Sequence, residues 1–260
     1  MGDLLDDYEA AQGSDETEPV SLFDSFETFS GASGTSVAGF SGDSDFGLWS
    51  ASGSVVICGD GTAFHGEAYL RLVDNDSKQH NATLKLAQSR SFSLPIEDGS
   101  GTNGIPFSFA FRRTAVKGSA APLTGCKFKI AAFCAISNAW TRTSDGSDIF
   151  ATPSAAKEIL AETGVWFQIE GRLLRTPLAD GRTRIGLRAD RIRDGMGNCL
   201  WRTAKGKAPW YILLDTSLPG GDLHFREFTF FSYSTNQGWI DIDAIRFGAL
   251  PQEATLMLVY

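Results

Sequence analysis

The feature that most constrains the fold is a succession of short alternating runs from Val20 onward, separated by turns rich in Gly, Ser, Asn and Asp. Apolar and polar residues that alternate at every second position turn one side of a strand toward a core and the other toward solvent. Many such runs at short intervals are typical of a sandwich or barrel. The sequence therefore predicts one all-β domain, and its 260 residues are within reach of a single large sandwich.

The clearest run covers residues 165–174. Its inward-facing residues are Val165, Phe167, Ile169 and Leu173, and its outward-facing residues are Trp166, Gln168, Glu170 and Arg172. The turn Asp180-Gly181 follows and leads into an arginine-rich alternating run, so the two runs predict a hairpin. Further strands are predicted at 64–72, 81–87, 107–111, 210–214, 223–233, 239–247 and 255–260.

One short helix is predicted at residues 154–163, because Pro153 precedes it, Ser154 can cap it and Gly164 can end it. Residues 1–18 are acidic and poor in large apolar side chains, which predicts an N-terminal arm. The predicted organisation is an arm at 1–18, an antiparallel β-sandwich domain at 19–250, and a terminal strand or tail at 251–260.

The charge distribution excludes some partners. The net charge is −8, and no Lys or Arg precedes Arg71, whereas thirteen Asp and Glu do. Nucleic-acid binding depends on clustered cations, so we expect no nucleic-acid partner. The acidic part indicates either a cation-binding edge or a solubilising tail with polar turns. No apolar stretch approaches the roughly 18 residues of a membrane span, so no span is expected.

The last predicted strand, at 239–247, alternates Ile240 and Ile242 with Asp241 and Asp243. A matching acidic and aromatic block lies at residues 23–29. If the first and last strands meet, the sandwich is closed as a jelly roll and acids from both ends come together. That arrangement predicts a site for a hard cation, and the alternative is that these acids are solvated residues at a strand edge.

Three segments carry a family resemblance: Phe23-Asp-Ser-Phe-Glu27, residues 61–72 and residues 239–247. Together they resemble bacterial jelly-roll carbohydrate-binding modules. The resemblance implies a structural calcium that bridges the first strand, the loop before the His-Gly segment and the last strand. Its implied oxygen ligands, in this sequence, are Asp24 or Glu27, Asp60, and Asp243 or Asp241. Calcium accepts six to eight such oxygens in flexible geometry.

Residues 247–259 resemble the start of the Pro-Glu-Pro sorting signal of exported Gram-negative bacterial proteins. Here Gln252-Glu253 replaces the expected Glu-Pro pair, and neither the membrane helix nor the basic tail follows. The segment is therefore interpreted as a plain terminal strand, with a trimmed sorting signal as the alternative.

Sugar recognition needs flat aromatic faces and planar polar groups. The outward side of residues 165–174 offers both, and neighbouring aromatic residues could extend it. The predicted ligand-binding residues are Trp166, Gln168, Glu170, Arg172, Tyr69, Trp140 and Trp201. The alternative is that Glu170 and Arg172 form cross-strand ion pairs on a solvated face, which contribute little to stability.

The sequence favours a non-catalytic module over an enzyme. Sandwich glycosidases often carry Glu-x-Asp-x-Glu on a strand, and here both outer positions around Asp241 are apolar. A jelly-roll lyase would need Tyr, His and Arg together, for which His65, Tyr69 and Arg71 are the candidates on one strand. The leading hypothesis is an extracellular or cell-surface module that binds a polysaccharide or other glycan. The second is a structural subunit of a surface fibre or virion that pairs with its own copies through terminal segments.

Overall fold

The computed structural model describes residues 22–43, 47–74, 79–86, 92–96, 104–115, 127–136, 139–142, 147–148, 159, 162–202, 210–219, 223–233 and 238–248. The strands in these ranges are β1 (Leu22–Asp24), β2 (Gly47–Ser52), β3 (Val55–Cys58), β4 (Tyr69–Asp74), β5 (Gln79–Leu86), β6 (Phe92–Ser93), β7 (Ile105–Ala115), β8 (Lys127–Ile136), β9 (Ala139–Arg142), β10 (Ser147–Asp148), β11 (Phe167–Pro177), β12 (Arg182–Asp194), β13 (Cys199–Arg202), β14 (Trp210–Pro219), β15 (Leu223–Tyr233) and β16 (Gly238–Phe247).

These strands form two sheets, and the pairs between strands are antiparallel. The nine-stranded sheet has the order β13-β12-β11-β7-β16-β4-β3, with β1 beside β16 and β14 beside β12. The seven-stranded sheet has the order β10-β8-β15-β5-β2, with β6 beside β15 and β9 beside β8. The domain is a β-sandwich of jelly-roll type, as the sequence predicts.

Aromatic residues fill the space between the sheets. Phe107 and Phe109 of β7 meet Phe228 and Phe230 of β15 with ring centroids 5.1 and 5.5 Å apart. All four side chains are buried. Alternation explains the arrangement, because residues two apart on each strand share the face that meets the opposite sheet.

The first and last described strands lie side by side, which confirms the expectation from the sequence. β1 pairs with β16 from Leu22↔Phe247 to Asp24↔Ile245. β16 is a central strand, since β7 flanks its other side and β4 pairs with its first half. A bulge interrupts its pairing with β7 between Asp243 and Arg246, where Ala244 has a φ of 47°. This bulge separates the half of β16 that faces β4 from the half that faces β1.

The predicted hairpin is confirmed. β11 and β12 pair along their length, and Gly181 occupies the turn with a φ of 79°. The strand predicted at 64–72 is wrong in its first half, because β4 begins at Tyr69 and residues 64–68 form a loop. The sequence alternates there, but Gly66 has a φ of 66°, which takes the backbone out of the strand.

Several predictions lie mainly or wholly outside the described residues. These are the arm at 1–18, the strand at 255–260, the sorting-signal alternative and most of the helix at 154–163. The domain boundaries also stay predictions, as does self-association through the terminal segments. Within the described part of the chain, no helix has the length and apolar character needed to cross a membrane.

Candidate functional site

A buried carboxylate, Asp241, lies between two arginines on the outer face of the nine-stranded sheet. Arg71 of β4 and Arg112 of β7 are its register partners on either side. Arg71 Nε donates to Asp241 Oδ1 at 2.6 Å, and Arg112 Nη2 donates to Oδ2 at 2.8 Å. Burial alone would lower the pKa of Arg71, but the hydrogen bonds and charge of Asp241 outweigh it and raise that pKa. The two guanidinium groups offset the burial of Asp241, which has no exposed surface.

Aromatic rings alternate with these two arginines. The Cζ atom of Arg71 lies 4.2 Å from the Trp239 ring centroid, and that of Arg112 lies 4.5 Å from the Trp166 ring centroid. Tyr69 stands between them, with both Cζ atoms 5.2 Å from its ring centroid. Cation–π contacts of this kind strengthen when the groups are shielded from water. The five side chains therefore form one stacked unit.

This stack contains two of the predicted ligand-binding residues, Tyr69 and Trp166. Tyr69 is fully buried, so it does not belong to an exposed platform. Burial and the charge of Asp241 raise the pKa of Tyr69 above its ordinary value. Trp166 is half-buried, and its Nε1–H donates to the Thr62 carbonyl oxygen at 2.7 Å. Its ring contacts Phe64 and Tyr69 as well as Arg112, so it packs against the protein and offers little free surface to a sugar.

The other predicted residues on β11 lie on the outer face of the sheet, where charged groups pair. Glu170 Oε1 accepts from Arg193 Nε at 2.7 Å, and its Oε2 lies 3.4 Å from Arg191 Nη1. Arg172 Nε lies 3.9 Å from Asp190 Oδ2. These contacts match the alternative interpretation of this face as one of cross-strand ion pairs. Gln168 lies on the same face and is half-buried.

The two remaining predicted aromatic residues lie away from this stack. Trp201 is on the edge strand β13, where it packs partly against the hydrophobic core. It lines an open groove of about 340 Å³ with Cys199, Leu200 and Arg202. Trp140 is on β9 of the other sheet, and its side chain is outside the described part of the structure. The seven predicted residues therefore do not form one surface.

The five predicted calcium ligands divide among separate sets of contacts. Asp24 is buried and accepts from Trp49 Nε1 at 2.6 Å. Burial raises the pKa of Asp24 to about 7, although the hydrogen bond from Trp49 opposes this rise. Asp60 instead accepts from Thr62 Oγ1 at 2.6 Å and from the Tyr69 hydroxyl at 2.8 Å. Asp241 is bound by Arg71 and Arg112. Each of Asp24, Asp60 and Asp241 therefore has hydrogen-bond partners within the protein.

Glu27 and Asp243 act together on one loop, residues 64–68. Asp243 Oδ2 accepts the backbone N–H groups of Phe64 and His65 at 2.9 and 2.8 Å. Glu27 Oε1 accepts those of Glu67 and Ala68 at 2.8 and 2.9 Å. Burial raises the pKa of Asp243 to about 7, the backbone hydrogen bonds oppose the rise, and the charge of Glu27 adds to it. The two carboxylates hold this loop against the first and last strands.

The described residues include no group of three acidic, histidine or cysteine side chains placed to hold a metal ion. Only Glu27 and Asp243, among the five predicted ligands, share one segment of backbone. Two carboxylates are fewer than the six to eight oxygens that calcium takes, so backbone carbonyls and water would have to supply the rest. Calcium binding stays a prediction that depends on this pair. The alternative interpretation of Asp241 and Asp243 as solvated acids is wrong, because both are buried.

The candidate lyase residues do not form one cluster. Arg71 Nη2 donates to the Tyr69 hydroxyl oxygen at 2.7 Å. His65 lies on the loop before β4, where its ring packs edge-on against Phe23 at 5.2 Å between centroids. A general base and its partners need to be within hydrogen-bond reach of a substrate. The buried Tyr69 hydroxyl instead donates to Asp60.

A different surface, not identified from the sequence, lies on the outer face of the seven-stranded sheet. There β2, β5 and β15 place nine residues in three register rows. The rows are Ser52–Asn81–Phe231, Ser50–Thr83–Thr229 and Leu48–Lys85–Glu227. We call these nine residues the polar sheet face. Ser50, Ser52, Lys85 and Leu48 are exposed, and Phe231 is half-buried, as Trp166 is.

The polar sheet face combines an aromatic ring with hydrogen-bonding groups. Thr83 Oγ1 and Thr229 Oγ1 are 2.9 Å apart. The amide oxygen of Asn81, opposite Phe231, accepts no hydrogen bond from any described residue. Burial raises the pKa of Glu227, and the charge of Lys85 opposes this rise. The alternation at 81–87 gave the signal for this face, since its polar positions include Asn81, Thr83 and Lys85.

No family model matches the sequence, and no curated protein matches it. Several solved structures are similar in fold. The CBM22-1 xylan-binding domain from Paenibacillus barcinonensis Xyn10C has 10% identity and a TM-score of 0.36, over 91% of this chain and 97% of that chain. Alginate lyase Aly36B has 10% identity and a TM-score of 0.44, over 89% of this chain and 98% of that chain.

The carbohydrate recognition domain of Emp47p has 12% identity and a TM-score of 0.35, over 91% of this chain and 99% of that chain. These similarities concern the fold. The two antiparallel sheets of this chain make it a β-sandwich.

Proposed function

We propose that this domain binds a glycan through the polar sheet face. The observation that carries the proposal is the pairing of Asn81 with Phe231, where a buried amide oxygen without a described partner lies opposite a half-buried ring. A sugar presents apolar C–H groups to a ring and hydroxyls to neighbouring polar groups. An amide side chain can both accept from one hydroxyl and donate to the next.

The neighbouring rows extend this chemistry along the strands. Thr83 supplies a hydroxyl that can donate or accept and that is held by the buried Thr229, and Ser50 is exposed beside it. Lys85 and Glu227 add one cation and one anion in the third row. Rows two residues apart are separated by roughly 6.6 Å, so three rows span roughly 13 Å. That length can contact more than one sugar ring of a chain.

The polar sheet face suits a ligand better than the surface predicted around Trp166. The aromatic residues of that surface are engaged in packing, since Tyr69 is buried and Trp166 contacts Arg112. Its charged residues are paired with each other. A neutral sugar would have to compete with these contacts. No described residue competes for the Asn81 amide oxygen, but that oxygen is buried, so the Asn81 side chain has to turn outward to reach a sugar.

The proposed function is non-catalytic binding at an extracellular or cell-surface location. Its support is that His65 lies apart from the hydrogen-bonded pair of Tyr69 and Arg71, so the candidate lyase residues are not assembled. A location outside the cell belongs to the proposal because structural polysaccharides are found there.

A glycan array with matched variants tests this proposal. We expect the wild type to bind at least one polysaccharide, and Phe231→Ala and Asn81→Ala to weaken that binding about tenfold or more, equivalent to roughly 1.4 kcal/mol each. Met196→Ala is the control, because Met196 is 86% exposed in the turn between β12 and β13. The control should bind as the wild type does.

Two outcomes would reject the polar sheet face as the binding surface. One is the absence of binding to any glycan by a folded wild type. The other is unchanged binding by both Phe231→Ala and Asn81→Ala. A loss of binding in Trp166→Ala, at a temperature where that variant is folded, would instead support the surface predicted from the sequence.

A further inference from the structure

Two segments of this chain carry net charges of opposite sign. Residues 1–21 contain seven acidic residues and no Lys or Arg. Residues 162–202, which include β11, β12 and β13, contain eight arginines and five acidic residues. The second segment is therefore cationic within a chain whose net charge is −8. Segments of opposite charge in one chain attract each other when they can approach within about a Debye length, about 10 Å at 0.1 M salt.

The cationic segment presents its charge on the outer side of the sheet. We call this surface the arginine face and define it by these residues: Arg172, Arg188, Arg191, Arg193, Glu170 and Asp190. Among the described contacts of this surface, four guanidinium groups meet two carboxylates at 2.7 to 3.9 Å. The side chains of Arg191 and Arg172 are 42% and 29% exposed. The arginine face therefore offers partly exposed guanidinium groups within a segment of net positive charge.

The acidic segment joins the sheet close to the arginine face. Its last residue precedes Leu22, which pairs with Phe247 of β16. The same row continues through Phe107 of β7 and Gly171 of β11 to Ala189 of β12. Four strand spacings of about 4.8 Å put β12 roughly 19 Å from β1. Twenty-one residues can extend over as much as roughly 70 Å, so the segment can cross the whole face.

The direction in which the chain enters β1 favours the same contact. β1 and β16 are antiparallel, so the chain before Leu22 lies beyond Phe247, at the C-terminal end of β16. Toward the same end of the sheet, the pair Gly171↔Ala189 of β11 and β12 is followed by the pair Arg172↔Arg188. The acidic segment therefore reaches the sheet at the end where this pair of arginines lies.

We propose that the acidic N-terminal segment, residues 1–21, docks on the arginine face of its own chain. Attachment of the segment to β1 makes the contact intramolecular, which gives the acidic residues a high effective concentration at the face. The contact depends on charge and is weakened by salt. It also shields the arginine face from other polyanions, such as carboxylated polysaccharides. The polar sheet face belongs to the other sheet, so this proposal is independent of the proposed glycan site.

NMR of the arginine side chains tests the contact directly. The full chain is compared with a chain that lacks residues 1–18 and with a full chain that carries Asp15→Asn, Glu16→Gln and Glu18→Gln. We expect the Nε–H signals of Arg172 and Arg191 to shift on deletion and, by a smaller amount, in the neutralised variant. Salt added to the full chain should move these signals toward their positions in the shortened chain. The Nε–H signal of Arg71, which is paired with Asp241, is the internal control and should not move.

A binding measurement separates the segment from an external polyanion as the occupant. If the segment covers the face, the shortened chain should bind oligogalacturonate at least about fivefold more tightly than the full chain. Arg172→Gln and Arg191→Gln should remove that gain, while their urea midpoints confirm that they fold. The proposal is overturned if the arginine signals are the same in the full and shortened chains. It is also overturned if both chains bind oligogalacturonate equally.

Discussion

Replacement of Asp241 by Asn tests whether the buried carboxylate stabilises the outer face of the nine-stranded sheet. The substitution keeps the shape of the side chain but removes the charge between Arg71 and Arg112. Breaking one side of a buried ion pair costs roughly 3 to 5 kcal/mol. The arginine side chains remain 13% and 10% exposed, which allows water to take over part of their solvation. We therefore expect a loss of about 3 kcal/mol, at the lower end of this range.

Glu170→Gln is the matched control, since it also removes a carboxylate flanked by two arginines on the same sheet. Glu170 is 21% exposed, and Arg191 and Arg193 are 42% and 27% exposed. Exposed ion pairs contribute about 1 kcal/mol or less, so the control should lose no more than that.

Urea unfolding followed by tryptophan fluorescence measures both variants. A shift of the midpoint at an unchanged slope reports a change in the free energy of unfolding. The explanation given for Asp241 is refuted if D241N loses no more free energy of unfolding than E170Q does. A double variant that adds Arg112→Gln to D241N should lose less than the sum of the single losses, because the two groups contact each other.

Three further predictions concern the buried acids and the loop they hold. Because burial raises the folded-state pKa of Asp24 and Asp243 to about 7, above the ordinary 3.8, protonation stabilises the fold. This stabilisation is complete below about pH 4 and is lost as pH rises through 7. The urea midpoint of the wild type should therefore decrease when the pH is raised from 5 to 8, and the decrease should be smaller in Asp243→Asn. An unchanged midpoint in wild type would contradict it. Gly66→Ala should lose more stability than Gly61→Ala. Both glycines have positive φ, but only the new Cβ at Gly66 meets the Glu27 carboxylate. Equal urea midpoints would show that both variants lose only the cost of backbone strain, about 1 to 2 kcal/mol. If Glu27 and Asp243 hold calcium, the melting temperature should be higher with calcium than with chelator, and Asp243→Asn should remove the difference; an unchanged wild-type melting temperature rejects calcium.

The sequence predicts the layers of this fold well because alternation is a local property. The inward residues Phe167, Ile169 and Leu173 are buried as predicted. The meeting of the terminal strands is also predicted, since two blocks of similar chemistry lie at the two ends of the domain. In each case a period of two residues is enough to say which side of a strand meets the core.

The chemical role of the outward residues could not be predicted in the same way. Asp241 and Arg71 are 170 residues apart in the chain, and the register that makes them neighbours is a property of the assembled sheet. The pattern at 64–72 predicts a strand through Phe64, but the Glu27 and Asp243 carboxylates hold those residues as a loop. Alternation identifies an outward position, and it does not tell whether another segment covers that position.

The polar sheet face could not be predicted either, because alternation does not identify which strands become neighbours. Thr83 and Phe231 belong to strands whose alternation the sequence shows, yet they lie in adjacent rows only because β5 and β15 pair. Trp166 stands among polar residues on the outward side of its predicted strand, so the sequence predicts the binding face on the other sheet. The two surfaces differ in that the Trp166 ring packs against Arg112 and Tyr69, whereas the polar sheet face contains an Asn81 amide oxygen without a described partner.

Chemical-shift mapping with a soluble oligosaccharide that binds the wild type tests the central claim most directly. The account predicts that the largest backbone amide shifts occur in β2, β5 and β15, around Asn81 and Phe231. It is contradicted if the shifts are confined to residues 166–172 and the loop at 59–68 on the nine-stranded sheet.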